Sequence, residues 1–456
     1  MEAFHQFGEL IERLVASRDR WVCSLTWADH RATDRFRSVP IDWTRGARHP
    51  RILEFVENIY GLVCELPPVA RLRRSPALNH LNVLVCNLIH VEAQYPKFWI
   101  RIPRSPNSFR RIARYHPFGC SHRYTVAIID ALRSAALIEY QPGFYDRGSQ
   151  RGRQSIIRLA PPFFSRFGQS LQDLRSFVRA TCNQELIQLR DAGKRIIDYP
   201  ETDLTRTMRR SLQEHNAFIT KHDVSLDIRS YRAKALFGAR PVDLSANQYH
   251  RVFNNGSFDQ GGRFYGPWWQ NLKSDLRPFI RIDGQSTVGL DYTAMHIHLL
   301  YGKEGITYQD IHGLEDDPYT LSSDDPLTRK AMKTILLVAL NCTDKARAIQ
   351  AIRRELQEQG LPLNGRDLTV LVECFARKHA RISQYLFSGA GLSLQRTESD
   401  ISMKVMTDMT LADIPILNVH DCFIAPIRHE AFLTEIMTQA FLDLGMSSTP
   451  KIKKEF

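Results

Sequence analysis

Three things are missing from this chain: an apolar run of 18 or more residues, a Cys-x-x-Cys pair, and any repeated or low-complexity tract. The first absence leaves no segment long enough to span a membrane as a helix. The second, with eight cysteines scattered singly, argues against a zinc ribbon or a disulfide scaffold and for a reducing compartment. The third argues against a solenoid. Lysine is absent from Arg101 to Arg158, a stretch of 58 residues with eleven arginines and only three acids, Asp130, Glu139 and Asp146, for a net charge of +8. The first 21 residues are amphipathic and carry acids, unlike a secretory signal. The first 240 residues hold no spaced set of four carboxylates, so no proofreading exonuclease is expected. A cytoplasmic protein with no membrane partner is expected.

What is present is ordinary in bulk and uneven in detail. With 456 residues, 43% of them apolar and 24% charged, the chain is long enough for two or three globular domains. The overall charge is +12, much of it in the arginine cluster. Guanidinium forks grip phosphate bidentately and stack on bases, so an arginine-only cluster predicts a nucleic-acid partner, against the plainer alternative of a solvated basic face.

Four segments follow along the chain. Residues 1–74 are predicted to be helical and irregular, with Phe4, Phe7, Leu10, Ile11, Leu14 and Val15 at helical spacing and a second helix from Ile52 to Cys64. Residues 75–165 form a unit: an apolar helix from Asn79 to Tyr95, then a helix from Arg123 to Ser134 capped by Ser121. A strand from Ala136 to Tyr140, a Gly-rich turn through Gly143 and Gly152, and a strand from Ser155 to Leu159 complete it. Residues 166–240 read as a helical linker or thumb-like subdomain, with helical periodicity from Leu171 to Asp191 and a helix restarting at Pro200 to Asp203. Residues 241–456 make the last domain.

The run from Tyr124 to Leu159, with Leu137-Ile138-Glu139 and Arg151-Gly152-Arg153, resembles the winged-helix domains of plasmid replication initiators. The resemblance implies that the helix holding Arg123, Tyr124 and Arg133 enters the major groove of duplex DNA, while Arg147, Arg151 and Arg153 lie on backbone phosphates. The alternative is a winged helix used for protein docking.

Two aspartates stand out in the last domain. Asp291 follows Thr287-Val288-Gly289-Leu290, and Asp421 sits between Ile414 to His420 and Cys422-Phe423-Ile424. Carboxylates flanked this way are delivered by strands to the lip of a sheet. Between them Arg329 and Lys333 lie one turn apart on an apolar helix and share a face. Two carboxylates for divalent metal and a cationic helix for a triphosphate are the parts of a nucleotidyltransferase.

From about Gly261 to Pro426 the motif order resembles family-A DNA polymerases and the single-subunit phage RNA polymerases. Val288 to His298 is similar to motif A, Thr328 to Asn341 to motif B, and Leu417 to Phe423 to motif C. Gly261-Gly262-Arg263 with Gln270-Asn271-Leu272 is similar to a primer–template element, and Asp310-Ile311-His312 to a segment after motif A. The resemblances together imply a mixed α+β chain: a mostly helical N-terminal half with a winged helix-turn-helix, then a polymerase-like palm built on an antiparallel sheet, with reduced helical fingers. The fingers are reduced because only 42 residues separate Asp291 from Lys333 and 88 separate Lys333 from Asp421.

The family likeness also implies roles. Asp291 and Asp421 would hold two Mg²⁺ ions, with Mn²⁺ as a substitute. Lys333 would protonate the leaving pyrophosphate, and Arg329, Lys333, His296, Asn341 and Tyr292 would meet the nucleoside triphosphate. Arg263, Gln270, Asn271, Arg281, Gln395, Arg396 and His420 would contact primer–template DNA. Two departures matter: His296 stands where the DNA polymerases carry the glutamate that screens the sugar 2′ position, and Asn341-Cys342 stands where they carry Tyr-Gly. The expected function is template-directed nucleotidyl transfer in the replication of a plasmid, prophage or other mobile element. One alternative is a DNA-binding initiator or regulator with an inactive polymerase-like domain. Another is a metallohydrolase using His296, His298, Asp291 and His312, disfavoured because residues two apart diverge on a helix.

Overall fold

The computed structural model describes residues 37–456 apart from 96–97, 110–111, 149–150, 175–176, 179–183, 228–243, 322–325, 362 and 447–448. The helical spacing expected at Phe4 to Val15 lies outside the described residues. The chain is mixed α/β and divides into two compact units. The first comprises residues 28–185 and 240–246; the second comprises 1–27, 186–239 and 247–456. Among the described residues no helix is long and apolar enough to cross a membrane.

The first unit runs β1 (Ser38–Pro40), α1 (Pro50–Val63), α2 (Arg74–Gln94), β2 (Trp99–Ile102), α3 (His122–Ser134), β3 (Ile138–Gln141), β4 (Phe144–Asp146), β5 (Arg151–Arg153), β6 (Ser155–Leu159) and α4 (Pro161–Leu174). Helix α1 starts on Pro50, where the missing N–H has no helical partner to lose, and buries Ile52, Phe55, Val56, Ile59 and Val63 as one stripe. Helix α2 is buried without interruption from His80 to Val91 and is the centre of the core. A helix covered all round must satisfy its polar side chains internally. Asn82 therefore brackets Ala47, donating to its carbonyl at 2.8 Å, and Asn87 donates to Asp42 and Val83 carbonyls at 2.8 Å.

Strand order in the first unit is β1-β2-β6-β3, with β1 parallel to β2 and the other pairs antiparallel. Beyond the β3–β6 hairpin, β4 and β5 form a separate two-stranded ribbon with Phe144 opposite Arg153 and Tyr145 opposite Gly152. Ser121 occupies the N-cap of α3 but its side chain makes no capping bond; its backbone N–H instead donates to Nε2 of His80 at 2.7 Å. The strand expected from Ala136 begins at Ile138, because Ala136 takes a left-handed turn conformation with φ 55°.

The second unit opens with β7 (Ile187–Arg190), β8 (Ile196–Ile197), α5 (Asp203–Ile219) and β9 (Val224–Leu226). Helical periodicity does not persist from Leu171 to Asp191: Ile187 to Leu189 pair with a parallel strand in a sheet. Sheet pairing overrides a local helical pattern there. Helix α5 does restart after Pro200, under a reciprocal capping box between Thr202 and Thr205.

Next come β10 (His250–Asn254), β11 (Ser257–Tyr265), β12 (Ile280–Ile282), β13 (Gln285–Tyr292), α6 (Met295–Lys303), α7 (Tyr308–His312), α8 (Pro326–Asn341), α9 (Lys345–Glu358), α10 (Gly365–Lys378), α11 (Gly391–Leu411), β14 (Leu417–Val419), β15 (Cys422–Pro426), α12 (Glu430–Leu442) and β16 (Ile452–Lys454). One sheet has the order β11-β10-β7-β8. The other has β14-β15-β13-β12-β9, and β16 also pairs with β13. Strand β13 is central to this sheet, paired antiparallel with β15, β12 and β16.

Candidate active site

Both aspartates reach one cleft by way of β13 and the β14–β15 hairpin. Asp291 pairs with Cys422 across β13 and β15, so the hairpin turn holding His420 and Asp421 lies beside it. The Tyr292 N–H faces the Asp421 carbonyl at 3.4 Å, and His420 turns the chain with φ 60°. Tyr249 fixes this hairpin: its hydroxyl accepts from the Asn418 N–H at 2.6 Å and from Trp269 Nε1 at 2.7 Å, and donates to the Asn418 carbonyl at 3.0 Å. The cleft is lined by Asp291, Asp421, His296, Glu398, Arg263, Tyr319, Arg329, Lys333, Lys453 and Glu455, with apolar side chains of α8 beside them.

Alternation along strands decides which side chains face the cleft. Asp291 faces it, while Tyr292 next to it is buried behind the sheet, packs on Phe423 and Phe441, and donates its hydroxyl to the Met437 carbonyl at 2.6 Å. Tyr292 thus borders the cleft while its ring packs into the core. Asn341, at the far end of α8, donates to the Leu337 carbonyl at 2.7 Å and packs on Gly391, outside the cleft lining. Arg329 reaches the cleft with its Nε on Asp317 at 2.6 Å and its guanidinium over the Tyr319 ring. Lys333, one turn on, is exposed and has no hydrogen-bond partner among the described residues.

Arg263 is spent internally. Gly261 and Gly262, at φ 81° and 79°, let β11 slip its register against β10; a Cβ on Gly262 would lie 2.7 Å from the Phe253 ring. The arginine that follows closes on Glu398 of α11 through two bonds of 2.8 and 2.6 Å. His296 Nε2 meets the same carboxylate at 2.8 Å. Glu398 is only 2% exposed, and burial alone would raise its pKa; the hydrogen bonds and charges of His296 and Arg263 outweigh that and bring it down to about 2.

The other expected nucleic-acid contacts divide. Gln270 donates to the Phe264 and Asn418 carbonyls, and Arg281 to the Pro278 and Ile280 carbonyls with Asp227 beside it, so both brace the fold. Arg396 is held by the Phe258 carbonyl and Asp400. Asn271 is exposed, and Gln395 is half-buried on α11. His420 meets the Tyr265 ring edge-on, its buried Nδ1 has no partner among the described residues, and burial together with Arg263 lowers its pKa. His296 and His298 sit on α6 and diverge: His298 packs beside Tyr308 instead of joining the cleft acids.

The two aspartates are electrostatically frustrated. Burial, then the charges of Asp421 and Glu455, push the Asp291 carboxyl up to about 7, against the pull of Lys333 and Lys453. Burial and Glu398 likewise raise Asp421, opposed by Arg263 and His296. Among the described residues, the buried Asp291 Oδ1 has no hydrogen-bond partner. Among the described residues no group of three or more His, Cys, Asp or Glu side chains forms a ready metal cage. Two hard carboxylates with an orphaned oxygen and mutual repulsion nonetheless fit a divalent cation such as Mg²⁺, whose charge would relieve both.

Four cleft residues escape the sequence reading: Glu398, Tyr319, Lys453 and Glu455. Lys453 and Glu455 arrive through β16, whose Lys453 lies directly across from Asp291. The Glu455 N–H donates to the Gly289 carbonyl at 2.8 Å, continuing that pairing. Gly289 has no side chain because the Phe456 ring fills the space, 2.5 Å from where a Cβ would stand. The one cue in sequence is the alternation of Lys453 and Glu455, two apart and on one strand face.

In the first unit, Arg123, Arg133 and Arg147 are exposed, and the Arg133 guanidinium lies over the Tyr140 ring. Tyr124 is half-buried against His80. Arg153 donates to the Pro142 carbonyl and sits over Phe144, while the Arg151 side chain lies outside the described residues. Arg104 and Arg158 are neutralised by Asp130 and Glu139.

No family model matches the chain, and no curated protein matches it. Among solved structures it aligns with the POL domain of Pol1 from M. smegmatis, in complex with DNA primer-template and dNTP, at 12% identity and a TM-score of 0.34. The alignment covers 90% of this chain and 66% of that one, a little under two thirds of its length. A score of 0.34 falls below the level at which two chains share a fold.

Proposed function

We propose that the second unit is a polymerase-like nucleotidyltransferase that extends a nucleic-acid strand with nucleoside triphosphates, and that the first unit holds DNA. The observation that carries this reading is the meeting of Asp291 and Asp421, 130 residues apart in sequence, in one cleft with Arg329 and Lys333. Asp291 and Asp421 are the residues that would hold Mg²⁺, which when bound supplies the positive charge that phosphoryl transfer needs. Lys333, exposed in the cleft and without a hydrogen-bond partner among the described residues, would meet the triphosphate tail and give a proton to departing pyrophosphate. Arg329 adds charge from the same helix face, oriented by Asp317. The His296–Glu398–Arg263 cluster forms the floor beside Asp421, and His296 lies where an incoming sugar would be screened.

In the first unit α3, the β2–β6–β3 strands and the β4–β5 ribbon support a winged-helix reading, with Arg123 and Arg133 on the helix and Arg147 and Arg153 on the ribbon. A DNA-holding unit joined to a transferase suits replication of a plasmid, prophage or other mobile element.

The test is primer extension with Mg²⁺, run separately with deoxyribonucleotides and ribonucleotides. Asp291→Asn and Asp421→Asn should each abolish incorporation while duplex binding persists; activity equal to wild type in either variant ends the proposal. A second reading, a DNA-binding initiator with an inactive transferase unit, is favoured by one observation: Arg263, Gln270 and Arg281 are already engaged within the protein. Specific duplex binding without extension in either nucleotide pool would select it.

A further inference from the structure

The β4–β5 ribbon carries two large aromatics in the open. Phe144 is 60% exposed and Tyr145 is 67% exposed. Rings of this size normally bury most of their surface, so an adjacent exposed pair on one strand needs a partner. Successive strand residues point to opposite faces, which places one ring on each side of the ribbon. Gly152 sits across from Tyr145, and Gly143 precedes Phe144 where the two strands run close. A Cβ on Gly152 would come within 2.8 Å of the Tyr145 ring, and one on Gly143 within 2.6 Å of the Arg153 carbonyl. The Arg153 guanidinium backs Phe144 at 5.8 Å, and Arg147 is exposed at the turn.

We infer that this ribbon is a base-stacking wedge that engages DNA where a duplex opens into single strand. The inference rests on reading the first unit as DNA-binding. Charge complementarity selects the partner: between Gln141 and Arg153 the sequence has three arginines and one acid, and guanidinium groups favour phosphate. The rings select the place. A closed duplex offers phosphates to arginine but hides base faces in its stack, whereas a junction exposes base planes on which aromatics stack regardless of sequence. A narrow blade with a ring on each flank and cations at its edges suits that junction.

The experiment uses the full chain with a forked DNA carrying a fluorescent base analogue at the junction, and a blunt duplex as the comparison. Phe144→Ala with Tyr145→Ala should weaken fork binding by about ten-fold or more, abolish the analogue's fluorescence change, and leave blunt-duplex affinity and its salt dependence unaltered. Phe144→Tyr with Tyr145→Phe keeps both rings and should restore the signal. Arg123→Ala with Arg147→Ala should instead weaken both DNAs and flatten the salt dependence. If the ring-free variant binds the fork as wild type does with the same fluorescence change, the wedge is overturned while DNA binding stands. If wild type binds neither DNA, the reading of the whole unit falls. If ring removal affects only binding to anionic vesicles, the occupant is a membrane surface and the wedge is overturned.

Discussion

Asp291 and Glu398 line one cleft, yet the first is pushed up to about 7 and the second down to about 2. Burial raises both; the difference lies in their partners. Glu398 has Arg263 and His296 bonded to it, whereas Asp291 faces Asp421 and Glu455 and has one oxygen without a hydrogen-bond partner among the described residues. Glu398→Ala leaves Arg263 half-buried without its counter-charge, and should cost about 3–5 kcal/mol in denaturant unfolding near neutral pH. Since Glu398 has a folded pKa below its ordinary value, its contribution is present above about 4.5 and lost as pH falls through about 2. The gap between wild type and variant should therefore be flat from pH 5 to 7 and close in strong acid. Asp291 and Asp421 were legible in the sequence because a lone carboxylate in an apolar strand is conspicuous. Glu398 was not: it sits in a polar helix segment, Gln395 to Asp400, and only the fold shows that this face is buried.

At the scale of elements, strands β13 and β15 could be read from apolar runs, and α8 from its periodicity. Strand β16 could not, since Lys451 to Phe456 carries a single lysine–hydrophobe step and little apolar content; it becomes a strand because β12 leaves the end of β13 from Leu290 to Tyr292 free to pair. The Leu171 to Asp191 misreading has the same origin in reverse, a local helical pattern yielding to a partner strand. Removing residues 452–456 takes away Lys453, Glu455 and the Phe456 ring on Gly289 together. That truncation should abolish primer extension and lower Tm by several degrees, measured by thermal unfolding, while DNA binding by the first unit persists. Wild-type extension by the shortened chain would remove β16 from the proposed chemistry.

For the whole molecule, the pattern of buried histidine sets the response to acid. His215 is held neutral by burial with a pKa brought down to about 3, and burial first of all brings His250, His298 and His379 to about 4. All four belong to the second unit. Each resists a proton when folded and accepts it near 6.5 when unfolded, so stability is full above 6.5 and falls as pH drops toward 4. Urea midpoints taken between pH 7.5 and 4.5 should fall steadily across that window, and His215→Gln should reduce the slope. The cleft itself draws on β11, β13, α8, α11, the β14–β15 turn and β16, stretches scattered over nearly two hundred positions. A nascent chain that has released Asp291 but not Asp421 owns half a cage, and a proteolytic cut almost anywhere between them separates the halves. On the proposed function, the site is complete only when folding is finished, so truncated copies should fail to extend a primer even where the first unit survives.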